Sequence, residues 1–264
     1  MKQTPIDLEQ ITTTTLGHYN AVAESFREGT RDHDVSQNID ALLRHIQGQA
    51  PFDILDFGCG PGRDLQTFTR MGHTAVGLDG SEKFAQMARD DSGCEVWQQD
   101  FLKLDLPAER FDGIFANAVL FHVPRQELPR VLKQLWGALK PGGVLFSSNP
   151  RGENQEGWNG PRYGSYHDLA AWQQLLIEAG FVELEHYYRP AGLPREQQEA
   201  IMKGARPLIA RRLALGIPWV TCRYPTPALA QEAGMSLRDF EDFLFGAVLL
   251  DWDAEGEKMK RIKE

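Results

Sequence analysis

The chain has 264 residues, of which 42% are hydrophobic and 25% charged, and its formal net charge is −9. This balance is typical of a folded globular protein and excludes a disordered or fibrous one. No stretch reaches the roughly 20 apolar residues of a membrane span, and the start lacks the apolar core of a signal peptide. We therefore expect a cytoplasmic protein that does not enter a membrane.

The negative charge is unevenly distributed. Residues 199–264 hold 10 basic and 10 acidic residues, so the whole net charge lies in residues 1–198. Because nucleic-acid binding needs basic surface, this acidic body indicates a small-molecule or protein substrate and no nucleic acid. The three cysteines are odd in number and widely scattered, which predicts reduced thiols, no disulfide framework and no metal site.

The predicted elements begin with two helices, at 8–27 and 36–47, where apolar residues recur at helical spacing. The run FDILDFGCGPG at 52–62 follows, a short apolar strand that ends in glycines. Helices and strands then alternate: helix 63–71, strand 74–79, helix 81–90, strands 94–98 and 111–116, helix 125–138, strand 143–148, helix 166–179 and strand 181–188. This alternation predicts an α/β fold with a doubly wound, mainly parallel sheet.

The glycine-rich turn after the first strand is a candidate binding loop. Glycines at 58, 60 and 62 let a ligand approach the backbone, because they carry no Cβ. A dinucleotide fingerprint would need a glycine at the next position, where this chain has Arg63. The spacing therefore disfavours a nicotinamide-dependent oxidoreductase.

Polar residues follow the next three strands at the same edge of the predicted sheet. Asp79 ends the second strand, Asp100 and Phe101 follow the third, and Asn117 closes the fourth. A carboxylate at the position of Asp79 can accept two ribose hydroxyls. Asp100 with Phe101 suits an adenine amine beside an apolar wall.

These strand ends, in this order, resemble the class I S-adenosylmethionine-dependent methyltransferase family over about residues 19–198. The motifs that carry the resemblance are ILDFGCGPG, GLDGS, QQDF, FDGIFANAVLFHVP and LKPGGVLFSSNPRG. The resemblance implies a Rossmann-like sheet with N-terminal lid helices and S-adenosyl-L-methionine as the cofactor. The cofactor-binding residues that it implies are Tyr19, Asp56, Gly58, Gly60, Asp79, Gly80, Asp100, Phe101, Asn117 and Ala118.

Methyl transfer from a sulfonium is an in-line displacement, which needs a base only when the acceptor arrives protonated. By the same resemblance, the acceptor pocket lies between the lid and the loops after the fourth and fifth strands. The candidates there are Arg27, Arg31, Arg151, Trp158 and Arg162 for the small-molecule acceptor, and His122 and Tyr163 for catalysis. Several alternatives stay open: His122 as a structural histidine bonded to a nearby carbonyl, and Asp56 as a residue that only orients the loop. Phe101 could equally belong to the core, Trp158 could pack on the lid, and the loop arginines could be solvated.

The segment RPAGLPREQQ at 189–198 has the composition of a connection between units, so we predict a methyltransferase domain at 1–198 and a helical appendage at 199–264. Residues 205–262 resemble a segment of the thermophilic metal-dependent aminopeptidase family, but they hold no histidine. We therefore expect a non-catalytic fragment. The resemblance to methyltransferases implies a last antiparallel strand in the sheet, and residues 217–223 are the candidate for it. The alternative function is a non-catalytic binder of the cofactor, or an inactive fusion remnant. The oligomeric state is not indicated.

Overall fold

The computed structural model describes residues 7–188. A five-stranded parallel sheet has the order β3-β2-β1-β4-β5, and β6 and β7 form a separate antiparallel pair. The strands are β1 (Asp53–Phe57), β2 (Thr74–Asp79), β3 (Glu95–Gln98), β4 (Phe111–Asn117), β5 (Leu139–Ser148), β6 (Gln155–Asn159) and β7 (Arg162–Tyr166). The helices are α1 (Leu8–Ala21), α2 (Ala23–Thr30), α3 (Ser36–Leu43), α4 (Arg63–Arg70), α5 (Glu82–Ser92), α6 (Leu128–Ala138) and α7 (Leu169–Ala179).

Hydrophobic clusters cover both faces of the parallel sheet. Side chains of a strand alternate between the faces, so Ile54 packs in a cluster with residues of α3, α4 and α5. Leu55 and Phe57 point the other way, into a cluster that contains the buried face of α6. The doubly wound α/β fold predicted from the sequence is therefore confirmed.

The turn after β1 brings the main chain close to two neighbours. Gly58 has a φ of 75°, and a Cβ there would lie 2.2 Å from a methyl carbon of Val119. Gly62 has a φ of 92°, and its Cβ would lie 2.8 Å from the Cα of Ala88. Both positions thus require glycine for conformation and for space.

Three sequence predictions need correction. The predicted helix 8–27 is two helices, because the backbone leaves the helical region at Val22, with φ −105° and ψ 12°. The segment after the fifth strand, expected to be a polar loop, contains the β6–β7 hairpin. The predicted strand 181–188 does not form a strand in the structure, and Val182 and Leu184 are 82% and 60% exposed.

The domain boundary at 198, the appendage at 199–264, the aminopeptidase-like segment 205–262 and the candidate strand 217–223 all lie outside the described residues. Among residues 7–188, no helix is long and apolar enough to cross a membrane. No cluster of histidine, cysteine and acidic residues there could hold a metal ion.

We predict that Gly62→Ala lowers the free energy of unfolding by about 2–4 kcal/mol, because it adds left-handed strain to a collision with the backbone of Ala88. Gly93→Ala is the matched control, since Gly93 also has a positive φ of 68° but nothing lies within 4 Å of its Cβ position. Its cost should be about 1 kcal/mol, from strain alone. Urea denaturation of both variants gives the comparison, and equal costs would contradict the collision.

Candidate active site

A cavity of about 250 Å³ opens at the carboxyl ends of β1, β2 and β4, beneath α1 and α2. Ligand sites of open α/β sheets lie at this edge. Nine of the ten residues expected to bind the cofactor line the cavity: Tyr19, Gly58, Gly60, Asp79, Gly80, Asp100, Phe101, Asn117 and Ala118. The structure therefore brings together side chains that are far apart in the sequence.

Asp79 joins the end of β2 to the glycine-rich turn. Its Oδ2 accepts a hydrogen bond from the Gly60 N–H at 3.0 Å, and its Oδ1 accepts one from the Ser81 N–H at 2.8 Å. Burial raises the pKa of this carboxyl to about 6, although both backbone hydrogen bonds act in the opposite direction. The side chain is consequently ionised at neutral pH and keeps lone pairs that can accept further hydrogen bonds.

Gly60 faces the cavity with its backbone. A Cβ at Gly60 would meet only the ring edge of Phe26, at 4.0 Å. The space in front of the main chain is thus open, as a ligand in contact with the backbone requires. Phe26 and Phe84 also line the cavity, and their ring centroids are 5.1 Å apart.

Asp100 and Asn117 occupy the ends of the third and fourth strands. Asp100 Oδ1 accepts a hydrogen bond from the Leu102 N–H at 2.9 Å, which holds a short 3-10 helix at Phe101–Lys103. Asn117 Oδ1 accepts hydrogen bonds from Asn38 Nδ2 at 2.9 Å and from Ser148 Oγ at 2.7 Å. Both side chains are therefore held in place before any ligand binds.

Asp56 is the tenth expected cofactor residue, and it is not among those that line the cavity. It is buried in β1, and no described group donates a hydrogen bond to its Oδ2. Burial and the nearby negative charge of Asp64 raise its pKa well above the usual value. This placement favours the alternative in which Asp56 orients the turn.

His122 lies between the lid and the β6–β7 hairpin, and it lines the cavity. Its Nδ1 lies 2.8 Å from the carbonyl oxygen of Tyr163, and its Nε2 lies 2.7 Å from the hydroxyl of Tyr19. A carbonyl can only accept, so Nδ1 carries the proton and Nε2 accepts from the Tyr19 hydroxyl. Burial lowers the pKa of His122 to about 4, so the ring is neutral at physiological pH.

Tyr163 contributes its main chain to the site, and its side chain is not among those that line the cavity. The Tyr163 N–H donates to Thr15 Oγ1 at 3.1 Å, which attaches α1 to β7. Burial and the hydrogen bond to Glu156 raise the pKa of the Tyr163 phenol to about 12. A phenol with so high a pKa is poorly suited to exchange a proton at neutral pH.

The residues expected to bind the acceptor are not among those that line the cavity. Arg27 pairs with Glu24 at 2.9 Å and Asp91 at 3.4 Å, and Arg31 pairs with Asp32 at 3.5 Å. The set that lines the cavity does not include Arg27, Arg31, Arg151, Trp158 or Arg162.

Of the remaining candidates, Arg162 hydrogen-bonds the Tyr19 side chain and thereby opposes the rise that burial causes in the pKa of this phenol. Trp158 is 46% exposed and meets Tyr163 edge to face, with the ring centroids 5.5 Å apart. Arg162 thus does not line the cavity itself, but it contacts Tyr19, which does.

Sequence reasoning missed several residues that line the cavity. They are Ile11, Thr12, Thr15 and Leu16 on α1, Phe26 on α2, and Phe84 on α5. The apolar periodicity of the first helices was a usable signal, since a helix above a cavity must turn its apolar face downward. Phe84 had no local signal.

Residues 54–143 match the family model described as a methyltransferase domain. This part of the chain is therefore similar to methyltransferase domains. The chain is 30% identical to the malonyl-acyl-carrier-protein O-methyltransferase of Erwinia pyrifoliae over 162 residues, which are 59% of this chain and 57% of the relative. It is 34% identical to the trans-aconitate 2-methyltransferase of Azoarcus sp. strain BH72 over 114 residues, which are 41% of this chain and 44% of the relative. The chain thus spans about half the length of these curated relatives.

A solved structure shares the fold of the methyltransferase domain. It is the 1,6-didemethyltoxoflavin-N1-methyltransferase of Burkholderia thailandensis, crystallised with 1,6-didemethyltoxoflavin and S-adenosylhomocysteine. The TM-score is 0.57 at 20% identity, with 72% of this chain and 87% of that chain covered. The resemblance expected for residues 205–262 finds no support in these comparisons.

The residues of the cavity fit S-adenosyl-L-methionine, the cofactor that the sequence resemblance implies. Gly60 leaves open space for the methionine part, and the ionised Asp79 can accept hydrogen bonds from ribose hydroxyls. Asp100 beside Phe101 offers an acceptor and an apolar ring for the adenine.

We predict that His122 titrates with a pKa near 4 and keeps its proton on Nδ1. Because the folded pKa lies below the ordinary 6.5, His122 contributes stability above pH 6.5 that is lost as pH falls towards 4. Asp79 acts oppositely, since its raised pKa makes the folded state less stable as pH rises through about 6.

The measurement must therefore be site-specific, and ¹⁵N NMR of the histidine rings reports both the tautomer and the pKa. A proton on Nε2, or a midpoint at or above the ordinary value, would contradict the assignment. Tyr19→Phe should leave the proton on Nδ1, since the bond to the Tyr163 carbonyl remains.

Proposed function

We propose that the chain transfers a methyl group from S-adenosyl-L-methionine to a small-molecule acceptor. The observation that carries the proposal is the coupling of Asp79 to the Gly60 N–H inside the cavity, because it joins the two parts of the chain that must hold the cofactor. The names of the relatives support methyl transfer as the reaction. The bound cofactor supplies an activated methyl group on a positively charged sulfur.

The residues of the chain would hold the reactants in line and keep water away. The backbone at Gly58 and Gly60, with Asp79 and Asp100, would fix the cofactor. Tyr19, held by His122, would close the cavity from the side of α1. Positioning of this kind can remove a large part of the barrier to a displacement reaction.

We propose His122 as a positioning residue, although the sequence suggested it as a catalytic one. Both of its ring nitrogens are engaged, and protonation of the ring is unfavourable at its buried position. The side chain of Tyr163 is hydrogen-bonded to Glu156, and we assign it no proton transfer. The arginines Arg27, Arg31 and Arg151 are left without a proposed role in acceptor binding.

We further propose that the protein acts in the cytoplasm on a free small molecule and not on nucleic acid. The free thiols of Cys59 and Cys94 support a reducing compartment. The three acids that line the cavity, Asp64, Asp79 and Asp100, would repel a phosphate backbone.

The second candidate function is binding of the cofactor without turnover. It is favoured only if the acceptor side is closed by the Tyr19–His122 bond in every state of the protein. Formation of S-adenosylhomocysteine with any acceptor, followed by mass spectrometry, separates catalysis from binding. If no product forms with a broad acceptor panel although the cofactor binds tightly, binding without turnover is favoured.

We predict that Asp79→Ala weakens S-adenosylmethionine binding at least about 100-fold, because hydrogen bonds to a charged group contribute about 1.5–3 kcal/mol each. Asp105→Ala is the control, since Asp105 is an exposed carboxylate outside the cavity. Calorimetric titration with S-adenosylmethionine and with NAD gives the affinities, and circular dichroism checks the fold. Wild-type preference for NAD, or unchanged affinity in Asp79→Ala, would reject the proposal.

A further inference from the structure

The walls of the cavity that are not strand ends are largely apolar. α1 contributes Ile11 and Leu16, and the segment after β4 contributes Val123 and Pro124. Thr12 adds a small polar group, while Tyr19 is bonded to His122. An acceptor that reaches the cofactor between these walls must therefore bury an apolar body.

The charges around the cavity are mostly negative. Arg63 is the one lysine or arginine among the described residues that line it. Its three nitrogens are already engaged: Nε and Nη2 donate to the two carboxylate oxygens of Asp64, and Nη1 donates to the Thr30 carbonyl. With Asp79 and Asp100 also present, the acids exceed the cations even after the single positive charge of the cofactor is added.

This excess of negative charge distinguishes between acceptor classes. An anionic acceptor would have to approach the acids without an unengaged cation to receive it, which is unfavourable in a partly buried site. With an uncharged acceptor, a positive charge is present before, during and after the transfer. The acids then stabilise it throughout.

His122 is not available as a base for the acceptor. His122 accepts a hydrogen bond at Nε2 and donates one at Nδ1, so it has no lone pair available for an incoming proton. An acceptor that arrives with a free lone pair needs no base at this position. An aromatic amine or ring nitrogen carries such a lone pair at neutral pH.

We propose that the acceptor is an uncharged molecule with an apolar body, methylated on a nitrogen whose lone pair is free. The inference rests on the proposed methyltransferase function and narrows its substrate class. The nitrogen lone pair forms the new bond to the methyl carbon while the carbon–sulfur bond breaks and its electron pair passes to sulfur. The nitrogen becomes positively charged, and where it carries a hydrogen, the proton then leaves to water.

The test uses the full chain saturated with S-adenosylhomocysteine and two probes with one ring system, benzimidazole and benzimidazole-5-carboxylate, at about pH 8, where the first is uncharged. We expect calorimetry to show that the uncharged probe binds at least about tenfold more tightly than the carboxylate. Equal or tighter binding of the carboxylate, or no binding of either probe, would overturn the proposal.

A charge introduced into the apolar wall gives a second readout. Thr12→Lys places an ammonium group at the cavity, so the carboxylate probe should gain about tenfold in affinity. Thr13→Lys is the matched control, because Thr13 is the next residue of α1 and is exposed. An equal gain in affinity for the carboxylate probe in both variants, or no gain in either, would contradict the proposal that the acceptor binds against this wall. If the wild-type chain does not bind S-adenosylhomocysteine, the proposed function itself is refuted.

Discussion

The site depends on one buried carboxylate that is shared between a strand end and a turn. The Asp79 carboxylate accepts hydrogen bonds from the N–H groups of Gly60 and Ser81. These bonds hold β2, the glycine-rich turn and the start of α5 in one arrangement. An ionised carboxylate in such a place is costly unless donors face it, and here the backbone provides them. The pKa of Asp79 stays raised because these hydrogen bonds offset only part of the free-energy cost of burying the charge. A ligand that adds hydroxyl donors would reduce it further, which links the stability of the site to its occupation.

The framework was predictable because its elements are specified locally. The predicted bounds of β2 agree with the structure at both ends, since Gly72 and Gly80 interrupt the chain just outside a buried apolar run. The acids at the strand ends could be located for the same reason, because parallel strands bring their carboxyl ends to a common edge. Asp79 and Asp100 therefore followed from the sequence before their contacts were known.

Features that depend on pairing between distant residues were not predictable. Tyr19 and His122 are 103 positions apart, and nothing near either residue indicates the other. A sequence does not reveal that Arg27 and Arg31, two of the residues expected to bind the acceptor, meet acids of the surface nearby. The β6–β7 hairpin did have a local signal, the Asn159-Gly160 pair, which is typical of hairpin turns. The polar composition around it obscured that signal.

The missed hairpin explains how the two alternatives for His122 combine. The imidazole is bonded to a carbonyl, as a structural histidine would be, and it also lines the cavity. The Tyr163 carbonyl determines which ring nitrogen is protonated, and the other nitrogen then accepts a hydrogen bond from the hydroxyl of Tyr19. The Tyr163 N–H also donates a hydrogen bond to Thr15 of α1. Tyr163 is therefore linked to α1 twice, directly through Thr15 and indirectly through His122 and Tyr19. The position of the lid is thus determined by main-chain groups of the hairpin, which is why the side chain of Tyr163 need not enter the cavity.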